Sequence, residues 1–305
     1  MTSSGSHRHS GLPHAITAYA IWGLLPLYLM LLHRVPPFEF VGWRVLFTVP
    51  VCFIAIALTR QGRALWSALT QPRTVGLLLV SALLIGGNWL VYIAAVQGGH
   101  VLAASLGYYI NPLVNVLAGT MFLGERLTRR QWIAVALAAV GVSMLAWGAR
   151  DMLGISLALA ISFCAYGLIR KLTPVASLPG LTIESTWLVL PAIGIVAWHG
   201  MSPAGLALGK DIGTDMLIAA SGVVTAVPLL LFATAAQRMD YSTLGFVQFL
   251  TPTMAFLLAL FVFEEPLRPI QLACFVTIWL AIAIFTWDLL ARHRPEKLSE
   301  RRSEA

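Results

Sequence analysis

Two ionisable side chains stand clearly inside apolar runs of this 305-residue chain: Arg44 in PFEFVGWRVLFTVP and Glu184 in SLPGLTIESTWLVL. Charge at membrane depth is costly, and where it occurs it marks pathways for substrates, ions or protons. Arg44 offers a planar fork of donors suited to an anionic or carbonyl group. The alternative is that its stem lets the charge snorkel to the outer interface. Glu184 could carry a proton, neutral in one state and charged in another; the alternative is again snorkelling or helix capping. Placed by their depth in their runs, the two lie about 12–15 Å apart along the normal of a core about 30 Å thick, too far for a direct salt bridge.

Neutral polar and aromatic groups gather nearby in sequence. The segment IGGNWLVYIAAVQ holds Asn88, Trp89 and Tyr92, with Trp89 and Tyr92 on one helix face. Gly86 and Gly87 before them permit close helix approach. In SLGYYINPLVNV, Ser105, Tyr108, Asn111 and Asn115 are spaced 3, 3 and 4, which puts them on one stripe. Such a stripe faces protein or water, not lipid. It is either a set of interhelical hydrogen bonds or the wall of a cavity. Trp187 and Gln248 are further candidates for that wall, with Trp22, Gly23 and Tyr166 weaker ones. Pro112 and Pro252 each follow a polar residue inside an apolar run, and each is either a plain kink or a kink that shapes the cavity. Glu125 and Glu265 end their runs and read as boundary charges, paired with a nearby arginine or capping the next helix.

The elements that must hold these residues are membrane helices. The chain is 58% hydrophobic and 11% charged, with mean hydropathy +0.82. A soluble domain carries roughly 25% charge. Apolar runs near 15–32, 38–58, 74–96, 101–123, 131–147, 152–169, 181–199, 214–236, 242–263 and 269–288 give ten spans joined by short connections. The run at 15–32 is a first span rather than a signal peptide, because no small-x-small cleavage site follows it. Function must therefore lie among the helices. The net charge of +7 reflects topology rather than nucleic-acid binding. With the N-terminus inside, fifteen basic residues fall on cytoplasmic segments and four outside, so both termini are expected in the cytoplasm. Cys52, Cys164 and Cys274 lie far apart in apolar runs and read as small packing groups, so no metal, disulfide or cofactor is implied.

A shift of 140 residues lays the chain on itself. Gln97 falls on Gln237, Pro112 on Pro252, Glu125 on Glu265, Gln131 on Gln271 and Trp147 on Trp287. The unit is five helices, an odd number, so the second copy enters the membrane inverted. The expected fold is an all-α integral membrane protein of ten transmembrane helices in two inverted five-helix repeats. Its parts are a tail at 1–13, repeats at 14–148 and 149–289, and a second tail at 290–305. Inverted repeats are a common design of secondary transporters, with the site near the midplane where helices are interrupted. The chain contains no H-E-x-x-H, G-x-S-x-G or G-x-x-x-x-G-K-[ST] motif, which argues against an enzyme and for transport driven by gradients. A non-transporting membrane scaffold or sensor is the alternative.

IGGNWLVYIAAV, SLGYYINPLVNV, FLGERLTRRQW, YGLIRK, IESTWLVLP and TLGFVQFLTPTMAFLLAL together resemble the RarD subfamily of EamA-type transporters, in the drug/metabolite transporter superfamily. The likeness runs from about Ala15 to Asp288. It implies ten helices, cytoplasmic termini and export of a small metabolite or drug across the cell's inner membrane, by a monomer or homodimer, with a possible coupling proton. Relatives often carry His-Arg in the second span where this chain has Trp43-Arg44, which removes a titratable group there.

Overall fold

A computed structural model describes residues 11–147, 153–203, 205–264 and 269–303, with side chains as far as residue 291. Glu265, Arg150, Arg268 and most of the N-terminal tail lie outside the described residues. Those described form helices and connections only. In order they are α1 (Leu12–Leu31), α2 (Pro37–Leu58), α3 (Gly62–Leu69), α4 (Pro72–Gln97), α5 (Val101–Phe122), α6 (Arg129–Trp147) and α7 (Leu153–Leu172). There follow α8 (Ser177–Trp187), α9 (Val189–Gly200), α10 (Ile212–Arg238), α11 (Tyr241–Gln248), α12 (Leu250–Phe261) and α13 (Pro269–Ser303). Among the described residues nine apolar stretches are long enough to cross a membrane, α11 and α12 together making one of them. The pair α8–α9, bent by 43°, makes a tenth when it is counted as one broken span.

Local chemistry explains where helices begin and break. Pro37 and Pro72 open α2 and α4 at positions whose N–H would be unpaired in any case. Asp211 caps α10, its carboxylate accepting from the Thr214 N–H at 2.8 Å. The seventh span breaks at Leu188, three residues before Pro191, and the ninth at Phe249, three before Pro252. Each proline lacks the N–H that would bond the carbonyl four residues back, so the ladder opens there. Pro50 and Pro112 sit in unbroken helices. The two proline-marked spans expected to bend alike therefore differ: the ninth is broken and the fourth is continuous. Helix α3, in what reads as a plain connection, packs Ala68 against Leu78 and Ile183.

Ten crossings place both termini at one face of the bundle, here the terminal face. Contacts there join Thr128 to Asp288, Lys171 to the Met239 carbonyl, and Glu125 to Tyr241. At the opposite, far face Tyr28 bonds Leu217 and Glu39 bonds Ala207.

Helix packing nearly survives exchange of the first five spans for the second five. The α5–α7 contact is matched by α12–α1, α4–α8 by α10–α2, and α4–α7 by α10–α1. The pairs α6–α13 and α5–α11 are their own partners under that exchange. Two contacts lack an equal of similar closeness: α5 packs on α6 more closely than α12 on α13, and α7 packs on α10, whereas α1 and α4 barely touch. The bundle is thus joined between α7 and α10 and parted between α1 and α4.

Candidate substrate-binding site

The parted side holds Arg44. Its Nε donates to Thr225 Oγ1 at 3.1 Å, and its guanidinium lies 4.3 Å above the Trp89 ring centroid. A desolvated cation on an indole face gains about 2 kcal/mol. Tyr28 and Tyr108 are within electrostatic range of the same group. The Tyr92 and Tyr108 rings meet edge to face at 5.6 Å. Arg44, Trp89 and Tyr92 are only partly buried, and Tyr108 is 40% exposed. These side chains form a half-buried cluster of one cation and aromatic rings, the candidate vestibule.

Glu184 sits in a sealed layer nearer the terminal face. It does not meet Arg44; its partner is Arg170, whose Nη1 lies 3.6 Å from Glu184 Oε1. Ser81 also donates to Oε1, at 2.5 Å. Both charged groups are almost wholly buried, Arg170 at 0% exposure and Glu184 at 1%. Glu184 is therefore neither snorkelling nor capping. The pair is incompletely satisfied: Glu184 Oε2, Arg170 Nε and Arg170 Nη1 have no hydrogen-bond partner. A buried network left half-paired is costly. Arg170 lies against Gly180, where any Cβ would collide with the guanidinium.

Between the layers is a cavity of about 10 Å³ lined by Thr48, Trp89, Tyr166, Glu184, Ser185 and Thr225. That is room for about one water among several polar groups. Towards the terminal face, Tyr19, Trp22, Phe163, Tyr166 and Phe232 pack ring against ring, with centroids 5.2–6.2 Å apart. This plug closes the joined side. A second cavity of about 190 Å³ opens beside Trp89 between α2, α4 and α9, walled almost entirely by apolar groups such as Val41, Leu83, Gly87 and Pro191.

The expected polar stripe on α5 divides. Tyr108 faces the vestibule. Asn111 and Asn115 are buried clasps instead, donating to the Ala160 carbonyl at 3.1 Å and to Gln248 Oε1 at 2.7 Å. Asn88 likewise holds the Leu159 carbonyl and Ser162 Oγ, both at 2.8 Å. A bare amide near a helix crossing finds a backbone carbonyl there, and so becomes packing rather than wall. Pro112 supports the same crossing, its carbonyl lying against Gly245; Pro252 marks the break in the ninth span. Trp187, at 42% exposure, contributes to none of these contacts. Glu125 is a cap, but not for the next helix. It accepts from the Tyr241 N–H, the Ser242 N–H and the Ser242 hydroxyl at 2.6–2.8 Å, tying the first half to α11 in the second.

Arg170 escapes the sequence reading because it stands beside Lys171 at a span end, where basic residues mark topology. A signal for the site was nevertheless present. The shift that lays Pro112 on Pro252 lays Arg44 on Glu184, Tyr92 on Phe232 and Ser81 on Ser221. The two buried charges occupy equivalent places in the two halves with opposite sign. Each is held by a hydroxyl of the other half, Thr225 on α10 for Arg44 and Ser81 on α4 for Glu184.

Comparison with known proteins agrees with this architecture. The EamA-like transporter family matches residues 9–147. An uncharacterised transporter of Pseudomonas aeruginosa is 43% identical over 275 residues, 90% of this chain and 92% of that one. Protein RarD of Escherichia coli is 42% identical over 281 residues, 92% of this chain and 95% of its own. The chain belongs to the EamA-like transporter family, in its RarD group. It is a multi-pass membrane transporter, and the family points away from an enzyme. A more distant member of the RarD group, the chloramphenicol-sensitive protein RarD of P. aeruginosa, is 30% identical over 90% of this chain and 92% of its own. A solved crystal structure has the same fold, with a TM-score of 0.73 at 21% identity, covering 93% of this chain and 99% of its own.

Proposed function

We propose that this EamA-like transporter is a gradient-driven exporter of a small metabolite or drug, working by alternating access between repeats at 14–148 and 149–289. The terminal face is the cytoplasmic one, as the fifteen-to-four distribution of basic residues suggests. The described conformation then opens outward. The supporting observation is the unmatched contact between the halves' inner spans, α7 on α10 without α1 on α4. Exchanging the roles of the halves would join α1 to α4 and part α7 from α10. Tyr92, the equivalent of Phe232, would then belong to the outer plug. Two conformations built from the same contacts can have similar energies, which cycling requires.

Glu184 is the proposed carrier of a coupling proton. Its neighbours are Arg170 and Tyr166 on α7, Ser81 on α4 and Cys52 on α2. With Glu184 charged, the ion pair with Arg170 joins α7 to α8 on the closed side. Protonation removes that attraction and favours the opposite conformation. The test is counterflow and proton-driven flux in proteoliposomes across a broad metabolite panel. Substrate-dependent counterflow is expected, and Glu184→Gln should flatten the pH dependence of net flux while preserving exchange. A folded protein that moves nothing would sink the transport reading. A pH dependence left intact in the variant would remove Glu184 as carrier.

A further inference from the structure

We infer that the site takes an organic monoanion, its carboxylate seated on Arg44 and its apolar body against Trp89, Tyr92 and Tyr108. This deepens the transport reading and rests on it for direction only. Arg44 has no acidic partner among the described residues. Glu39, five residues earlier, bonds Trp43 Nε1 at 2.9 Å and the Ala207 N–H at 2.8 Å, and forms no ion pair with it. Glu184 is engaged with Arg170 and Ser81. The guanidinium plane is fixed by Trp89 on its face and Thr225 on Nε. Its two terminal nitrogens have no hydrogen-bond acceptor among the described residues, and the residue is only partly buried. A fixed fork of donors with no counter-charge, stacked on an aromatic ring, is complementary to a carboxylate held by two parallel bonds.

The surroundings select an organic anion over a simple inorganic one. The Trp89 ring covers one face of the fork, Tyr108 is an electrostatic neighbour, and the apolar cavity of about 190 Å³ begins beside Trp89. A bare halide would leave that surface uncovered, whereas an aromatic or aliphatic body buries against it. The charge also supplies a driving force. An inside-negative potential expels an anion, and exchange of that anion for an entering proton adds the proton gradient.

The test is binding to the full-length protein in nanodiscs, followed by tryptophan fluorescence and calorimetry. The probes are benzoate, phenylacetate and hexanoate, each against its own amide, with benzylamine and chloride as further competitors. At least one carboxylate should bind saturably. Its amide should bind about tenfold more weakly or worse, since the charge-assisted fork is lost. Arg44→Gln should lose a similar factor, and Arg44→Lys should recover part of it. The inference is overturned if no carboxylate binds, if an amide or benzylamine binds as well as its carboxylate, or if chloride competes at equal potency. It also fails if Arg44→Gln binds carboxylate unchanged. Should that variant not fold, the comparison of carboxylate with amide on the native chain decides alone. Flux separates this idea from the one beneath it. Arg44-dependent carboxylate binding without any flux defeats transport and leaves the anion site. Flux of neutral or cationic solutes that ignores Arg44 does the reverse.

Discussion

Removing Arg170 should be among the most damaging single changes in the chain, and removing Glu184 with it should undo most of the damage. At 3.6 Å, and at an effective dielectric of about 20, the pair's attraction is about 5 kcal/mol. Breaking such a pair by deleting one partner costs about 3–5 kcal/mol, because the other charge is left buried and alone. Arg170→Met should therefore destabilise the protein by about 3–5 kcal/mol. The double variant with Glu184→Gln leaves no bare charge. The native pair is poorly served, with three of its polar atoms unpartnered, so the double variant should lie within about 1 kcal/mol of the native protein. The assay is a double-mutant cycle by equilibrium unfolding in mixed micelles, read by tryptophan fluorescence. A coupling energy of several kcal/mol is the expected result. If the two losses simply add, Arg170 and Glu184 do not interact, and the account of the closed side falls with them.

Two further outcomes follow from the same packing. Glu125→Ala removes an acceptor used by three donors at the start of α11 and should cost about 1–2 kcal/mol, with Glu125→Asp intermediate, measured in the same unfolding assay; no loss would show that the cap is idle. The cysteines are all buried, and Cys164 lies beside the aromatic plug, so a membrane-permeant maleimide should label native Cys164 slowly. Phe232→Ala should speed that labelling at least about tenfold, because loss of a core phenyl ring leaves a gap; an unchanged rate would mean that Phe232 does not seal the joined side.

Much of the fold was legible because membrane helices announce themselves by length and apolarity, and the ten spans match the expected runs closely. The candidate site's residue types were legible, but not which of them meet. Arg44, Trp89, Tyr92 and Tyr108 come together because they are large or charged groups with nowhere else to go. Asn111 and Asn115 read the same way and behave otherwise, since a periodicity says which face a residue shares and not what that face meets. Arg170 is the opposite failure. A guanidinium at a span end has the composition of a topology signal, and only the fold of the next helix over it, permitted by Gly180, makes it part of the interior.

The charges themselves carry the remaining argument. The 140-residue shift lays Arg44 on Glu184, so the two halves carry opposite charge at equivalent places. Two arginines or two glutamates would load both halves alike, and a ligand of either charge would then interact equally in the two conformations. With opposite signs the halves are no longer interchangeable: one charge is exposed in the vestibule while the other is paired and sealed. A ligand shifts a conformational equilibrium only through a difference in its interaction with the two states. The proposed anion on Arg44 and the proposed proton on Glu184 would supply that difference from opposite sides. In the proposed cycle the inverted repeat would provide two conformations of similar energy, and the mismatch of charge would give each conformation a distinct chemical trigger.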